Sequence, residues 1–272
     1  GGADGVLCED PAVPDLHVEL ADHVATVELD RPPVNAITRA TMREITEVFT
    51  RLGADREVRA IVFTAAGERA FMAGVDLRSV GQEEDPDALP AAYVLDPPRA
   101  ARDAMWSITD CPVPVVAAVN GPALGAGLAF AACCDIIVAA ESATFGAPEI
   151  DVGLLGASAH LSTLVGRHKA RELYFTGEAV PASELWRLGA VRSVVPVAQL
   201  RDEATALARS LAAKSPIALR LAKEAMNRVE DLPLKDAYRT EQDYTARLLG
   251  FEDAQEARQA YLEKRDPEWR WR

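Results

Sequence analysis

Basic residues are scarce in this chain. Lys and Arg number 29 against 42 Asp and Glu, a formal net charge of −13, which is the wrong sign for neutralising the phosphates of nucleic acid or of an anionic membrane. Neither partner is expected. Long hydrophobic runs are missing too: the longest, Gly121 to Cys134, has 14 residues, which suits a buried helix and falls short of the roughly 20 needed to span a bilayer. Cysteine is limited to Cys8, Cys111, Cys133 and Cys134. They form no C-x-x-C pair, so a disulfide framework and a zinc knuckle are disfavoured, and a reduced intracellular protein is expected. His17, His23 and His168 fit no metal-ligand spacing. The N-terminal GGADGVLCEDPAVPD lacks the basic and apolar regions of a secretory signal, which points to a cytoplasmic location.

What remains is a composition ordinary for a folded protein: 272 residues, 49% hydrophobic and 26% charged. Leu16 to Leu20 and Val24 to Leu29 alternate apolar and polar residues around Ala21-Asp22, the pattern of a β-hairpin. Thr38 can cap a helix whose Met42, Ile45, Val48, Phe49 and Leu52 recur at three- and four-residue spacing. Apolar runs at Val58 to Thr64, Val113 to Val119 and Ile136 to Ala139 alternate with helical stretches near Arg99 to Ile108 and Gly125 to Cys133. That alternation predicts a largely parallel, helix-covered sheet, an α/β fold. Beyond about Lys169 the periodicity is almost wholly helical, with one short apolar run, Val191 to Val195. The segment Gly81 to Pro98, with four prolines and five acids, reads as a mobile surface loop that either borders a binding site or is a solvated linker.

Two glycine turns carry the chemical signal. Gly121-Pro122-Ala123-Leu124-Gly125-Ala126-Gly127 follows an apolar strand and opens a helix, where free N–H groups and the helix dipole favour negative charge. It completes neither a G-x-G-x-x-G dinucleotide fingerprint nor a Walker A loop, and glycines there also serve simple helix-on-sheet packing. The second turn, Ala70 to Leu77, comes shortly after the strand near Thr64. Two such turns can aim two backbone donors at one oxygen, an oxyanion hole. Glu149, in the turn-rich Phe145-Gly146-Ala147-Pro148-Glu149-Ile150, is the side chain best placed to move protons there, set against the ordinary alternative of an exposed loop acid. Asp135, directly before a strand, reads as a structural cap or ion-pair partner. Ser158 only hints at a nucleophile elbow, because His160 stands where its last glycine belongs.

Taken together, these stretches resemble the crotonase, or enoyl-CoA hydratase/isomerase, superfamily over nearly the whole chain. The resemblance rests on Asp30 to Ala36, Ala70 to Leu77, Val119 to Gly127, Cys134-Asp135-Ile136, Phe145 to Glu149 and Leu262 to Arg265. It implies a superhelix of ββα units, with an acyl-CoA-binding core over 1–200 and a helical C-terminal region over 201–272 that drives assembly into a homotrimer or homohexamer. It places the thioester oxyanion hole on the N–H groups of Ala73 and Ala126. Substrate contacts are implied at Ala73, Gly74, Val75, Asp76 and Ala126, and at Tyr261 and Lys264 of the last helix, reaching a neighbouring subunit's ligand. Coenzyme A enters as part of the substrate, with no separate cofactor.

The chain departs from the family at its catalytic carboxylates. Hydratases of the family carry two glutamates; Glu149 matches the second, and Ala129 stands at the first. The further acids of dienoyl isomerases fall on Ala129 and Ala157. The run Gly153 to Leu161, with Tyr238 to Gln242, is more similar to crotonases that open rings of cyclic keto-acyl-CoA compounds in steroid breakdown. The expectation is therefore an acyl-CoA enzyme, nominally an enoyl-CoA hydratase or isomerase, that polarises a thioester carbonyl and moves protons with Glu149. Hydrolytic C–C ring opening and an inert acyl-CoA-binding protein are the alternatives. Should Glu149 not serve, His160 and Asp151 are next.

Overall fold

The computed structural model describes residues 14–82 and 84–272. The N-terminal stretch read above for a secretory signal, with Cys8, lies outside them but for its last two residues. The described residues open with the expected hairpin, β1 (Leu16–Ala21) and β2 (Val24–Leu29). Its turn sits one residue later than the pattern suggested, on Asp22 and His23, both at positive φ, the twist that suits a two-residue hairpin loop.

α1 (Arg39–Ala54) crosses over to β3 (Ala60–Ala65), which lies parallel to β2. Thr38 caps α1 in a reciprocal arrangement with Thr41. Ile45 and Phe49 are wholly buried on its inner stripe, each worth about 1.5–3 kcal/mol of removed apolar surface. α2 (Ala91–Leu95) and α3 (Arg99–Thr109) lead to β4 (Val115–Val119), and α1 packs along α3. There follow β5 (Ala123–Leu124), α4 (Ala126–Ala132), β6 (Ile136–Ala140) and β7 (Thr144–Gly146). After a 3-10 turn at Pro148–Val152 come α5 (Ser158–Val165), α6 (Arg167–Thr176), β8 (Ala179–Pro181), α7 (Ala182–Arg187) and β9 (Ser193–Val195).

Six strands form one sheet in the order β1-β2-β3-β4-β6-β9, and β5-β7-β8 form a second, smaller sheet. Strands β3 and β4 are buried along their whole length, as expected of central parallel strands covered on both faces. The α/β class read from the sequence is what the chain adopts.

Four helices end the chain: α8 (Val197–Ala212), α9 (Pro216–Val229), α10 (Leu234–Leu249) and α11 (Glu252–Glu263). α8 runs through residue 200 and lies across the sheet, burying Leu200, Ala204, Ala208 and Ala212. α9 is tied back by Lys223, whose buried ammonium donates to Asp135 at 2.7 Å and to the carbonyls of Ile108 and Val113. Asp135 also accepts the Val115 N–H at 2.7 Å, the structural pairing expected of it. α10 has no buried residue.

The segment expected to be a mobile loop is partly ordered as a 3-10 turn at Pro86–Ala88 and the helix α2. Arg43 donates to Glu84 at 2.8 Å and its guanidinium sits 5.9 Å from the Tyr93 ring centre. Those tethers come from α1, far away in sequence, so a local reading of prolines and acids does not reveal them.

Candidate active site

The two glycine turns meet. Phe71 and Met72 donate their N–H groups to the Pro122 carbonyl at 3.1 and 3.2 Å, and Leu124 donates to the Met72 carbonyl at 2.9 Å. A Cβ on Gly127 would collide with the Met72 carbonyl, so only glycine lets α4 begin this close to the neighbouring turn. Gly74, at φ +103°, reverses the first turn. The turn is then pinned by Ile37, whose N–H donates to the Gly74 carbonyl at 2.9 Å and whose carbonyl accepts from Asp76 at 2.8 Å.

This pinning decides which N–H groups are available. The Ala73 N–H, expected in the oxyanion hole, donates to the Val34 carbonyl at 3.1 Å and is engaged. The next non-glycine N–H, that of Val75, has no partner among the described residues. Ala126 opens α4 behind Gly125, which supplies no side-chain cap, so its N–H is one of the donors a helix start leaves open. Val75 and Ala126 line one cleft of 670 Å³ together with Glu149. Ala73 is therefore not available as a donor, and Val75 stands beside Ala126 in the cleft in its place; the local sequence could not supply this, because the Val34 carbonyl reaches Ala73 from about 40 residues away.

Glu149 occupies the 3-10 turn after β7 and is only 9% exposed. Its Oε2 is buried without a hydrogen-bond partner among the described residues. A Cβ on Gly125 would lie 2.9 Å from Glu149 Oε1, which puts the carboxyl against the residue directly before the Ala126 donor. Burial pushes its pKa above the usual carboxylate value, its own backbone hydrogen bond opposing in part. A carboxyl raised in this way keeps its proton to higher pH than a solvated one, which suits it to serve as base and then as acid.

The remaining candidates separate from this centre. Asp76 is buried and saturated: Arg78 donates through Nε, Nη2 and its backbone N–H at 3.0 to 3.1 Å, and Arg31 stands at 3.5 Å. The Arg78 hydrogen bonds hold its pKa down at about 2. Asp76 therefore locks the turn and does not line the cleft. Ala129 is wholly buried in α4; Ala157 lines the cleft. Asp151 packs its carboxylate against Gly177, and His160, whose pKa burial lowers, is not part of the lining. Ser158 is exposed at the start of α5. Tyr261 is 84% exposed and Lys264 is exposed at the end of α11; neither lines the cleft.

Around the centre the lining is mainly apolar, with Met42, Val80, Met105, Leu154 and Leu155. Among the described residues, no three His, Cys, Asp or Glu side chains gather as a metal site, and no helix is long and apolar enough to cross a membrane.

The sequence pattern of the family described as enoyl-CoA hydratase/isomerase matches residues 19–272. A Mycobacterium tuberculosis protein named (7aS)-7a-methyl-1,5-dioxo-2,3,5,6,7,7a-hexahydro-1H-indene-carboxyl-CoA hydrolase is 39% identical over 89% of this chain and 95% of its own length. The carnitinyl-CoA dehydratase of Proteus mirabilis is 34% identical over 94% of this chain and 98% of its own. The crystal structure of an enoyl-CoA hydratase from Bacillus anthracis superposes with a TM-score of 0.85 at 32% identity, covering 94% and 98% of the two chains.

Fold, paired donors and buried carboxyl define an acyl-CoA-processing enzyme of the crotonase fold. The chain belongs to the enoyl-CoA hydratase/isomerase family.

Proposed function

We propose that this enzyme stabilises a thioester enolate and moves protons with Glu149 alone, and that its reaction is the hydrolytic opening of a cyclic β-keto acyl-CoA. The observation that carries the reading is the buried, unpartnered Glu149 Oε2 beside the Val75 and Ala126 donors. A thioester oxygen held by those two N–H groups gains stabilisation as charge develops on it, and one lost donor typically costs about 10² to 10³ in rate.

In the ring opening, Glu149 takes a proton from water, whose hydroxyl adds to the ring ketone carbon. The bond between that carbon and the carbon next to the thioester then breaks, and its electron pair passes into the enolate. Glu149 returns the proton to the carbon next to the thioester, and the former ketone carbon becomes a carboxylic acid, still joined to the acyl group by the opened ring, that ionises. One carboxyl is base and then acid, so no second glutamate is needed where Ala129 stands. Likeness to the Mycobacterium tuberculosis hydrolase supports this choice over hydration. Double-bond isomerisation is the second reading, favoured by the same lone shuttle, since a proton leaves C2 and returns at C4. Turnover of a cyclic β-keto acyl-CoA to an open-chain carboxylate, followed by mass, tests the first. Conversion of 3-enoyl-CoA alone would favour the second.

We also infer a homotrimer or homohexamer built through the helical region 201–272. Support comes from α10, which buries nothing in the single chain while exposing Leu234, Tyr238 and Leu249. Tyr261 and Lys264 would then serve coenzyme A bound to a neighbouring subunit. Coenzyme A enters only with the substrate. The free, buried Cys111, Cys133 and Cys134 are consistent with a reducing, cytoplasmic location.

A further inference from the structure

The cleft holds a cation that the chemistry at Glu149 does not use. Arg39, the first residue of α1, lines the cleft with Val75, Ala126 and Glu149, and also lines a second cleft of 470 Å³ next to it. The two clefts share Arg39, Glu84, Pro97 and the Gly81-Gln82 turn. Among the described residues lining them, the ionised side chains other than Glu149 are Arg39, Arg43 and Glu84.

Two guanidiniums therefore face one carboxylate, and that carboxylate is divided unequally. Arg43 takes Glu84 with both Nη atoms, at 2.8 and 3.4 Å, and is the main cause of the lowered Glu84 pKa. Arg39 is left with a 3.6 Å approach to Glu84 and a long 3.4 Å bond to the Gln82 carbonyl. A guanidinium has five donors in a planar fork, so most of the Arg39 hydrogen-bonding capacity is unused among the described residues. Its side chain is 40% exposed, open to whatever fills the cleft. Among the described residues lining the cleft, those other than Arg39, Glu84 and Glu149 are apolar or neutral, Met42, Val80, Pro97, Pro98, Ala101 and Met105 among them.

We propose that Arg39 recognises a carboxylate on the acyl part of the ligand, so that the enzyme is selective for acyl-CoA compounds that carry, or acquire during turnover, an acyl-borne carboxylate. The inference rests on the ring-opening reading for its catalytic meaning, since hydrolysis of a cyclic β-keto acyl-CoA creates such a carboxylate. Its binding content does not depend on that reading. The carboxylate would form a charge-assisted, two-toothed pair with the Arg39 fork, while the apolar wall covers the chain between the two ends of the acyl group. A coenzyme A phosphate offers similar anionic chemistry, and the experiment separates the two.

The test is equilibrium affinity, by calorimetry, for saturated esters that cannot turn over: adipyl-CoA against hexanoyl-CoA, equal in carbon number and differing by the terminal carboxylate. The unaltered protein is expected to bind adipyl-CoA about fivefold or more tightly than hexanoyl-CoA, the scale of a half-exposed ion pair. Arg39→Gln is expected to erase that preference, and Arg39→Lys to keep part of it. The same preference is expected with the adipyl and hexanoyl thioesters of pantetheine, which lack the nucleotide phosphates. Equal or weaker binding of adipyl-CoA by the unaltered protein overturns the proposal without any variant. So does an Arg39→Gln loss that falls equally on both CoA esters and vanishes with the pantetheine thioesters, because Arg39 would then read a phosphate. A retained adipyl preference in a protein that opens no ring would uphold this inference while removing the proposed reaction.

Discussion

Asp76 follows the Val75 donor in its turn and Glu149 lines the cleft with that donor, and the surroundings of the two acids are opposite. Asp76 ends the first glycine turn with Arg78 hydrogen bonds and Arg31 on its carboxylate, and its pKa is held at about 2. Glu149 lies in the 3-10 turn after β7 with one oxygen buried and unpartnered, and burial raises its pKa. A buried polar atom left without a partner is disfavoured in a folded chain. Where one persists beside two free N–H donors, it marks the place at which stability has been traded for reactivity. The saturated acid sets the shape of the turn, and the orphaned acid is the one proposed to perform the chemistry.

The sharpest way to break this contrast is Glu149→Gln. The account expects kcat to fall by about 10² to 10⁴, the usual value of a positioned acid-base group, with affinity for acyl-CoA kept within a few-fold. Steady-state rates and calorimetric binding on the same preparation would show it. Next comes Gly125→Ala. Its Cβ would lie 2.9 Å from Glu149 Oε1 at a backbone φ of +55°. It should therefore displace the carboxyl as well as strain the chain, at a cost of about 1–3 kcal/mol, seen as lower activity together with a lower Tm. Asp76→Asn should act the other way round, lowering Tm while kcat stays within a few-fold.

pH sharpens the same comparison. A folded pKa above the unfolded value means that the folded state holds the extra proton, so the Glu149 contribution falls as pH rises from about 4.5 upward. Asp76 has a folded pKa of about 2 against 3.8 unfolded. Its contribution is therefore present above 3.8 and lost as pH falls toward 2. Accordingly, the Tm of Glu149→Gln relative to the unaltered protein should rise between pH 4 and pH 7. The deficit of Asp76→Asn should shrink as pH is lowered below 4. In kcat/KM the acidic limb should lie above 4.5 and disappear in Glu149→Gln. The smallest signal expected is hydration of crotonyl-CoA, slow because Ala129 supplies no second acid; rapid hydration would show that another group replaces it.

Much of this architecture is legible in the residues, and the exceptions share one cause. The Thr38 cap and the Met42 to Leu52 stripe follow from short-range spacing, and they stand where the spacing puts them. Both glycine turns and Glu149 were also readable, because strand-to-turn punctuation is local. The choice between the Ala73 and Val75 N–H groups was not. It depends on the Val34 to Ile37 segment lying alongside the turn, and a one-residue shift in that pairing would reverse which donor is free. The tethering of Glu84 and Tyr93 likewise depends on Arg43 reaching across from α1. The spare charge on Arg39 is visible only after Glu84 is seen to favour Arg43.

The central claim is that Glu149 alone moves a proton at the carbon beside a thioester held by Val75 and Ala126. Exchange at C2 of a 3-enoyl-CoA in deuterium oxide, followed by mass spectrometry, reads that step without requiring any particular product. The account predicts enzyme-dependent deuterium uptake by the unaltered protein and loss of that uptake in Glu149→Gln, with ligand affinity intact. Uptake by Glu149→Gln at the unaltered rate would contradict it.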